Sequence, residues 1–189
     1  MKKFKVLSRK MIVDEPFCHI EKQKIELHDG SSTNWFLRKS PDAVVIVPTF
    51  QSGEVMLQRA YKNGSGTIVT EFPAGMVNEK ETPALTAARE LREETGLVAE
   101  KLHKIGTVFA DPTGSPMRYH FFLAEICRPI ADTEYDKAEQ IETFLVPNFE
   151  AAKQFLTDTT DQKDKNTPAA ASLCVIPFVE TFLENQKKV

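Results

Sequence analysis

The chain has 189 residues, 41% of them hydrophobic, enough for one ordinary globular domain with a sizeable core. A net charge of −3 and a pI near 5.9 argue against a nucleic-acid-binding surface. No apolar run reaches membrane-spanning length, and Arg9, Lys10, Asp14 and Glu15 interrupt any leader-like stretch behind Met1-Lys2-Lys3.

Residues 4 to 40 read as short β segments: a strand over Cys18 to Leu27, a turn at His28-Asp29-Gly30-Ser31, and a returning strand over Trp35 to Lys39. The unbroken apolar run from Ala43 to Pro48 reads as a buried strand. Val55 to Tyr61 pairs back across a turn at Gln51-Ser52-Gly53-Glu54. Thr67 to Phe72 follows a loop at Asn63-Gly64-Ser65-Gly66, and Pro73-Ala74-Gly75 turns the chain out of that strand. Thr82 then caps a helix that begins at Pro83, where a missing N–H costs nothing, and ends before Gly96. Ala84, Ala87, Ala88 and Leu91 are expected to form its packed face. Beyond it, Lys101 to Ala110 and Tyr119 to Cys127 read as strands around the Asp111 to Pro116 loop. Ile141 to Pro147 is a further strand and Glu150 to Thr157 a short helix. A polar loop leads to a last helix, Pro168 to Lys187, interrupted near Pro177.

The helix from Pro83 carries the chemistry. Glu90, Glu93 and Glu94 lie three and four apart, so their carboxylates stack about one turn apart on one face. Like charges so placed destabilise a bare helix, and a cation is the simplest remedy. All-oxygen ligands suit Mg²⁺ or Mn²⁺ rather than zinc. Gly75 allows close approach of backbone to such an ion, and the Ala74 carbonyl is a candidate further ligand. Taken alone, the acids could equally be a solvated helix face. Cys18, Cys127 and Cys174, odd in number and widely spaced, suit a reducing cytoplasm better than a disulfide framework.

Gly75, Glu81, Arg89, Glu90, Leu91, Glu93, Glu94, Gly96 and Leu97 match the Nudix box without departure, so the chain resembles the Nudix hydrolases. Three features resemble the ADP-ribose pyrophosphatase and nucleoside diphosphate sugar hydrolase branch: the lead-in Glu71-Phe72-Pro73-Ala74-Gly75, Pro112 after the box, and Glu139-Gln140-Ile141-Glu142 before a late strand. The resemblance implies an α/β fold, the Nudix α/β/α sandwich with a mixed sheet, plus an N-terminal β extension. It implies one domain over 1–189: the extension at 1–40, the core at 41–150 and a helical segment at 151–189. By analogy it implies a homodimer through the extension, a small-molecule nucleotide substrate, and neither nucleic acid nor membrane as partner.

The resemblance also implies roles. Ala74, Glu90, Glu93 and Glu94 would hold Mg²⁺ or Mn²⁺, and Arg89 would steer the carboxylates. Glu71, Lys62 and Pro112 would meet the substrate, with Gly75, Glu81 and Gly96 in support. Glu139 is the first candidate for general base, with Glu93 and Glu142 as alternatives. Two positions depart from the branch: Lys62 stands where many members carry arginine, and Met117 where many carry glutamate. Without the resemblance, Pro112 is a turn proline, Glu139 a solvated acid and His120 a packed histidine, while Trp35, Phe36 and Phe50 belong to strands. The competing functions are a Nudix hydrolase of dinucleoside polyphosphates, NADH or nucleoside triphosphates, and a non-catalytic nucleotide-sensing module.

Overall fold

The computed structural model of the chain describes residues 1–16, 18–130, 140–158 and 167–188. They group into two compact units, Met1–Asp42 with Val108–Arg118, and Ala43–Thr107 with Tyr119–Val189.

The first unit is an antiparallel sheet of β1 (Lys5–Glu15), β2 (Cys18–Glu26) and β3 (Ser32–Lys39), in that order. The turn between β2 and β3 is made by its sequence: Asp29 Oδ1 accepts from the Ser31 N–H at 2.9 Å and its hydroxyl at 2.6 Å. Gly30, at φ 84°, closes the turn. The 108–118 stretch joins this unit through the Arg38 N–H, which donates to the Gly114 carbonyl at 2.8 Å, and the Trp35 indole, which donates to the Thr113 carbonyl at 3.0 Å.

The elements wholly or mostly in the second unit are, in chain order, β4 (Ala43–Pro48), β5 (Val55–Lys62), β6 (Thr67–Glu71), β7 (Ala74–Met76), α1 (Pro83–Thr95), β8 (Leu97–Val98), β9 (Lys101–Phe109), β10 (Arg118–Glu125), β11 (Arg128–Pro129), β12 (Ile141–Val146), α2 (Phe149–Thr157), β13 (Thr167–Pro168) and α3 (Ala170–Gln186). Two four-stranded sheets run in the orders β7-β4-β10-β9 and β12-β5-β6-β13. Both are mixed: β4 is parallel to β10 and antiparallel to β7, while β6 is antiparallel to β5 and parallel to β13. Every residue of β4 is buried, as its unbroken apolar run requires. Mixed sheets packed with helices are the α/β arrangement expected from sequence.

Helix α1 begins and ends as its sequence directs. Thr82 Oγ1 accepts from the Leu85 N–H, Pro83 opens the helix, and Gly96, at φ 68°, returns its N–H to the Arg92 carbonyl. Its buried face differs from the expected one. Ala87 and Leu91 are buried with Thr86 and Glu94, whereas Ala84 and Ala88 are exposed. An alanine has too little apolar area to set the phase of a helix, so Leu91 decides it and Ala87 is buried with it. That phase carries Glu94 inward beside a core of Val44, Ile46, Leu91 and Phe122.

Helix α3 runs through Pro177 without interruption. Burial of Val175, Ile176 and Val179 on either side of the proline offsets the hydrogen bond it cannot make. The helix also reaches the strand end that leads to α1: the buried Phe72 N–H donates to Ser172 Oγ at 2.9 Å. Strand β10 ends at Glu125, short of the expected Cys127, because Ile126, at φ 55°, turns the chain there.

Candidate active site

The β5–β6 register places Gln58 opposite Glu71, on the sheet face that meets α1. Glu94 comes down on the same spot from the helix. Its Oε2 accepts from the Ala74 N–H at 3.0 Å and from Gln58 Nε2 at 3.3 Å. Gln58 Nε2 also reaches Glu71 Oε1 at 3.4 Å, and that oxygen pairs with Lys62 Nζ at 2.5 Å. Glu94 is only 3% exposed. Burial pushes its carboxyl up to about 8; the Ala74 N–H opposes the rise, and the nearby Glu90 and Glu71 charges add to it.

On the outer side of α1, Arg89 gathers three carboxylates. Its guanidinium donates to Glu81 through Nε at 2.9 Å and Nη2 at 3.1 Å, while Nη1 reaches Glu90 Oε1 at 2.8 Å and Glu93 Oε2 at 2.7 Å. Glu81 also accepts from the Thr86 hydroxyl at 2.8 Å. The Arg89 bonds, with Thr86 helping, hold the Glu81 carboxyl down to about 2. Glu90 lies so close to β7 that a Cβ added at Gly75 would stand 1.9 Å from its carboxyl carbon. A glycine is required here for approach, not for a turn.

Glu71, Glu81, Glu90, Glu93, Glu94, Arg89, Lys62, Ala74 and Gly75 thus come together, and Gly96 closes the helix that carries the acids. Pro112 belongs to the first unit, where it lines a hollow with Trp35, Leu37 and Thr113. Glu139 lies outside the described residues. Glu142 pairs with Arg59, so strand alternation turns it to the sheet face opposite Gln58 and Glu71. There it lines a shallow hollow with Arg59, Tyr61 and Ile68. Sequence reading missed Gln58 and Thr86. Gln58 left a signal: a polar residue whose neighbours two places away, Met56 and Ala60, are apolar and buried.

Among the described residues, no three acidic, histidine or cysteine side chains already converge into a metal cage. Glu90 and Glu93 instead lean onto Arg89. The donor set nevertheless fits a divalent cation. Five acidic side chains stand here with Arg89 and Lys62, and among the described residues Gln58 Oε1, beside Glu71 and Glu94, is buried without a partner.

The mixed sheets and the capped acidic helix with its glycine-backed glutamate define the class, and comparison agrees: residues 39–168 match the NUDIX domain, and the chain belongs to that family. Within it the chain stands with the ADP-ribose pyrophosphatase branch, as a Nudix pyrophosphohydrolase, an enzyme type that generally works with divalent cations. It is 28% identical over 167 residues to the ADP-ribose pyrophosphatase of Bacillus subtilis, covering 88% of this chain and 89% of that one. It is 29% identical over 147 residues to a CMP-5'-(N-acetyl-N-hydroxy-3-aminopropyl)phosphonate hydrolase of Streptomyces rubellomurinus, covering 76% and 69%. A solved structure described as an ADP compounds hydrolase superposes with a TM-score of 0.82 at 21% identity, over 100% of this chain and 98% of that one. At that identity the likeness speaks for the fold.

Proposed function

We infer that the chain hydrolyses the pyrophosphate bond of ADP-ribose or a related nucleoside diphosphate sugar, giving a nucleoside monophosphate and a sugar phosphate. The observation that carries this reading is the placement of Glu90, Glu93 and Glu94 within about one turn of α1, with Glu90 against a backbone that Gly75 keeps open and Glu94 tied to the Ala74 N–H. Similarity to the Bacillus subtilis ADP-ribose pyrophosphatase over most of both chains supports the substrate class. Mg²⁺ or Mn²⁺, held by Glu90, Glu93, Glu94 and the Ala74 carbonyl, would offset the diphosphate charge and acidify an attacking water.

The residues divide the remaining work. Glu94 is fixed from two sides by the Ala74 N–H and Gln58. Arg89 is itself anchored by Glu81 and holds Glu90 and Glu93 on their common face, so it orients carboxylates and does not touch the substrate. Lys62, half-exposed beside Glu71, offers a point charge to a phosphate. Glu139 remains the proposed general base on sequence grounds, and the orientation of Glu142 favours Glu93 as the alternative.

A Mg²⁺-dependent hydrolysis panel tests the substrate reading. ADP-ribose and ADP-glucose should be cleaved at the pyrophosphate bond, ahead of GDP-mannose, NADH, diadenosine polyphosphates and nucleoside triphosphates. Turnover confined to the last three would overturn the branch assignment. Gly75→Ala tests the close approach. Its new Cβ meets the far end of a flexible side chain, so Glu90 swings away and the fold survives with a change of less than about 1 kcal/mol. Turnover should fall about 10–100-fold, as when a ligand's support is lost. Paired kcat and thermal-melt measurements separate the two effects.

Dimerisation through the first unit is part of the same proposal, supported by the exposure of Phe4, Leu7, Met11, Ile12, Trp35 and Phe36 on its strands or termini. Analytical ultracentrifugation at micromolar concentration should then find a dimer. The free thiols of Cys18, Cys127 and Cys174 support a cytoplasmic setting. Among the described residues no helix is long and apolar enough to cross a membrane.

A further inference from the structure

We propose that Gln58 is a positioning residue for the cation site: its side-chain amide ties Glu71 of β6 to Glu94 of α1 and so sets where Glu94 stands. The inference rests on the cation-dependent reading above and deepens it by assigning a residue outside the acidic helix and its lead-in.

Gln58 is fully buried in the middle of β5, where an amide is costly unless bonded. Its Nε2 carries two hydrogens, and two carboxylate oxygens lie before it, Glu71 Oε1 at 3.4 Å and Glu94 Oε2 at 3.3 Å. Both distances exceed the usual 2.7–3.2 Å, so the group bridges the two acids without clamping either. With Glu71 and Glu94 both ionised, as a bound cation would keep them, the reverse amide orientation would point Oε1 at two carboxylates. As a result Oε1 is left buried without a partner, an arrangement a stability-driven core would replace with an apolar side chain of the same size.

A bridge at this point has to be neutral. Lysine or arginine there would contribute a rival positive charge, as Arg89 already does on the outer side of the helix. An acid would add a further like charge to Glu71, Glu90 and Glu94. A glutamine donates twice and adds no charge. Without it, Glu94 Oε2 would keep, among the described residues, only the Ala74 N–H and could pivot about that single bond.

The test compares the full chain with Gln58→Met and Gln58→Leu. Mn²⁺ binding is read without substrate from the free-ion EPR signal, melting is followed in EDTA, and Mg²⁺ is titrated during ADP-ribose hydrolysis. Both variants should bind Mn²⁺ about 10–100-fold more weakly and need correspondingly more Mg²⁺ for half-maximal rate, the usual size of a support lost behind a ligand. Their melts should be no lower than wild type, and saturating Mg²⁺ should restore most of kcat. Mn²⁺ affinity within about twofold of wild type in both variants would overturn the inference and leave the cation-dependent reading standing. A clearly lowered melt in EDTA would make Gln58 a packing residue and overturn it as well. A wild-type chain that binds no Mn²⁺ would overturn the underlying reading and this inference together.

Discussion

Glu93→Gln should lose turnover by about a hundred- to a thousandfold while keeping its fold. The side chain is 28% exposed and its one described ion pair is to Arg89, which retains Glu81 and Glu90 in the variant. The helix caps at Thr82 and Gly96 are untouched. Little stability is therefore at stake, since a partly exposed pair contributes at most about 1 kcal/mol. The chemistry loses far more. Charge stabilisation of a diphosphate transition state by a well-held cation is worth several kcal/mol, and each 1.36 kcal/mol is about tenfold in rate. Steady-state kinetics with saturating Mg²⁺, beside circular dichroism of the same sample, checks both halves. Turnover near that of wild type would remove Glu93 from the machinery.

Glu94→Gln should abolish turnover and, without metal, make the protein more stable. The sign follows from burial, which raises the Glu94 carboxyl from its ordinary 4.5 to about 8. Below about pH 4.5 the group is protonated in both folded and unfolded chains and contributes nothing. Between 4.5 and 8 the unfolded chain ionises it freely while the folded chain resists, so folding stability is lost as pH rises, and the loss levels off above 8. At neutral pH the penalty is on the order of 1–3 kcal/mol. Glutamine removes it and can still accept from the Ala74 N–H. In EDTA the variant's melt should match wild type near pH 4 and exceed it at pH 7 to 8. Added Mg²⁺ should raise the wild-type melt and leave the variant's in place. A variant less stable than wild type in EDTA at pH 8 would refute the buried-acid account.

Much of this site was legible because its signals are local. Thr82, Pro83 and Gly96 bound α1 through bonds within one turn, and the spacing of Glu90, Glu93 and Glu94 sets Glu93 and Glu94 about one turn after Glu90. What local spacing does not carry is the phase of a helix against its sheet. Of the four residues expected on the packed face, Ala87 and Leu91 are buried, but Ala84 and Ala88 are exposed and Thr86 and Glu94 are buried in their stead, which is why Glu94 is interior and Glu93 is not. Strand alternation separates acids in the same way. Glu142 lies close in sequence to the candidate base Glu139, yet its register opposite Arg59 turns it from the acidic face. The return of residues 108–118 to the first unit, with Pro112 among them, has no local marker and depends on long-range bonds such as Trp35 to Thr113. Gln58 could have been noticed as a polar residue between buried apolar ones, but its bonds to Glu71 and Glu94 need the tertiary structure.

The bond from the Phe72 N–H to Ser172 Oγ bears on how the chain can be trimmed or fused. A shortened version ending before α3 would look harmless on a motif map, because the acidic helix lies far upstream. It would remove the acceptor of the amide just ahead of Pro73 and Ala74, and would uncover Gly106, over which the Phe178 ring sits. Minimal catalytic fragments of this protein should therefore retain the C-terminal helix, and affinity handles belong after its last turn.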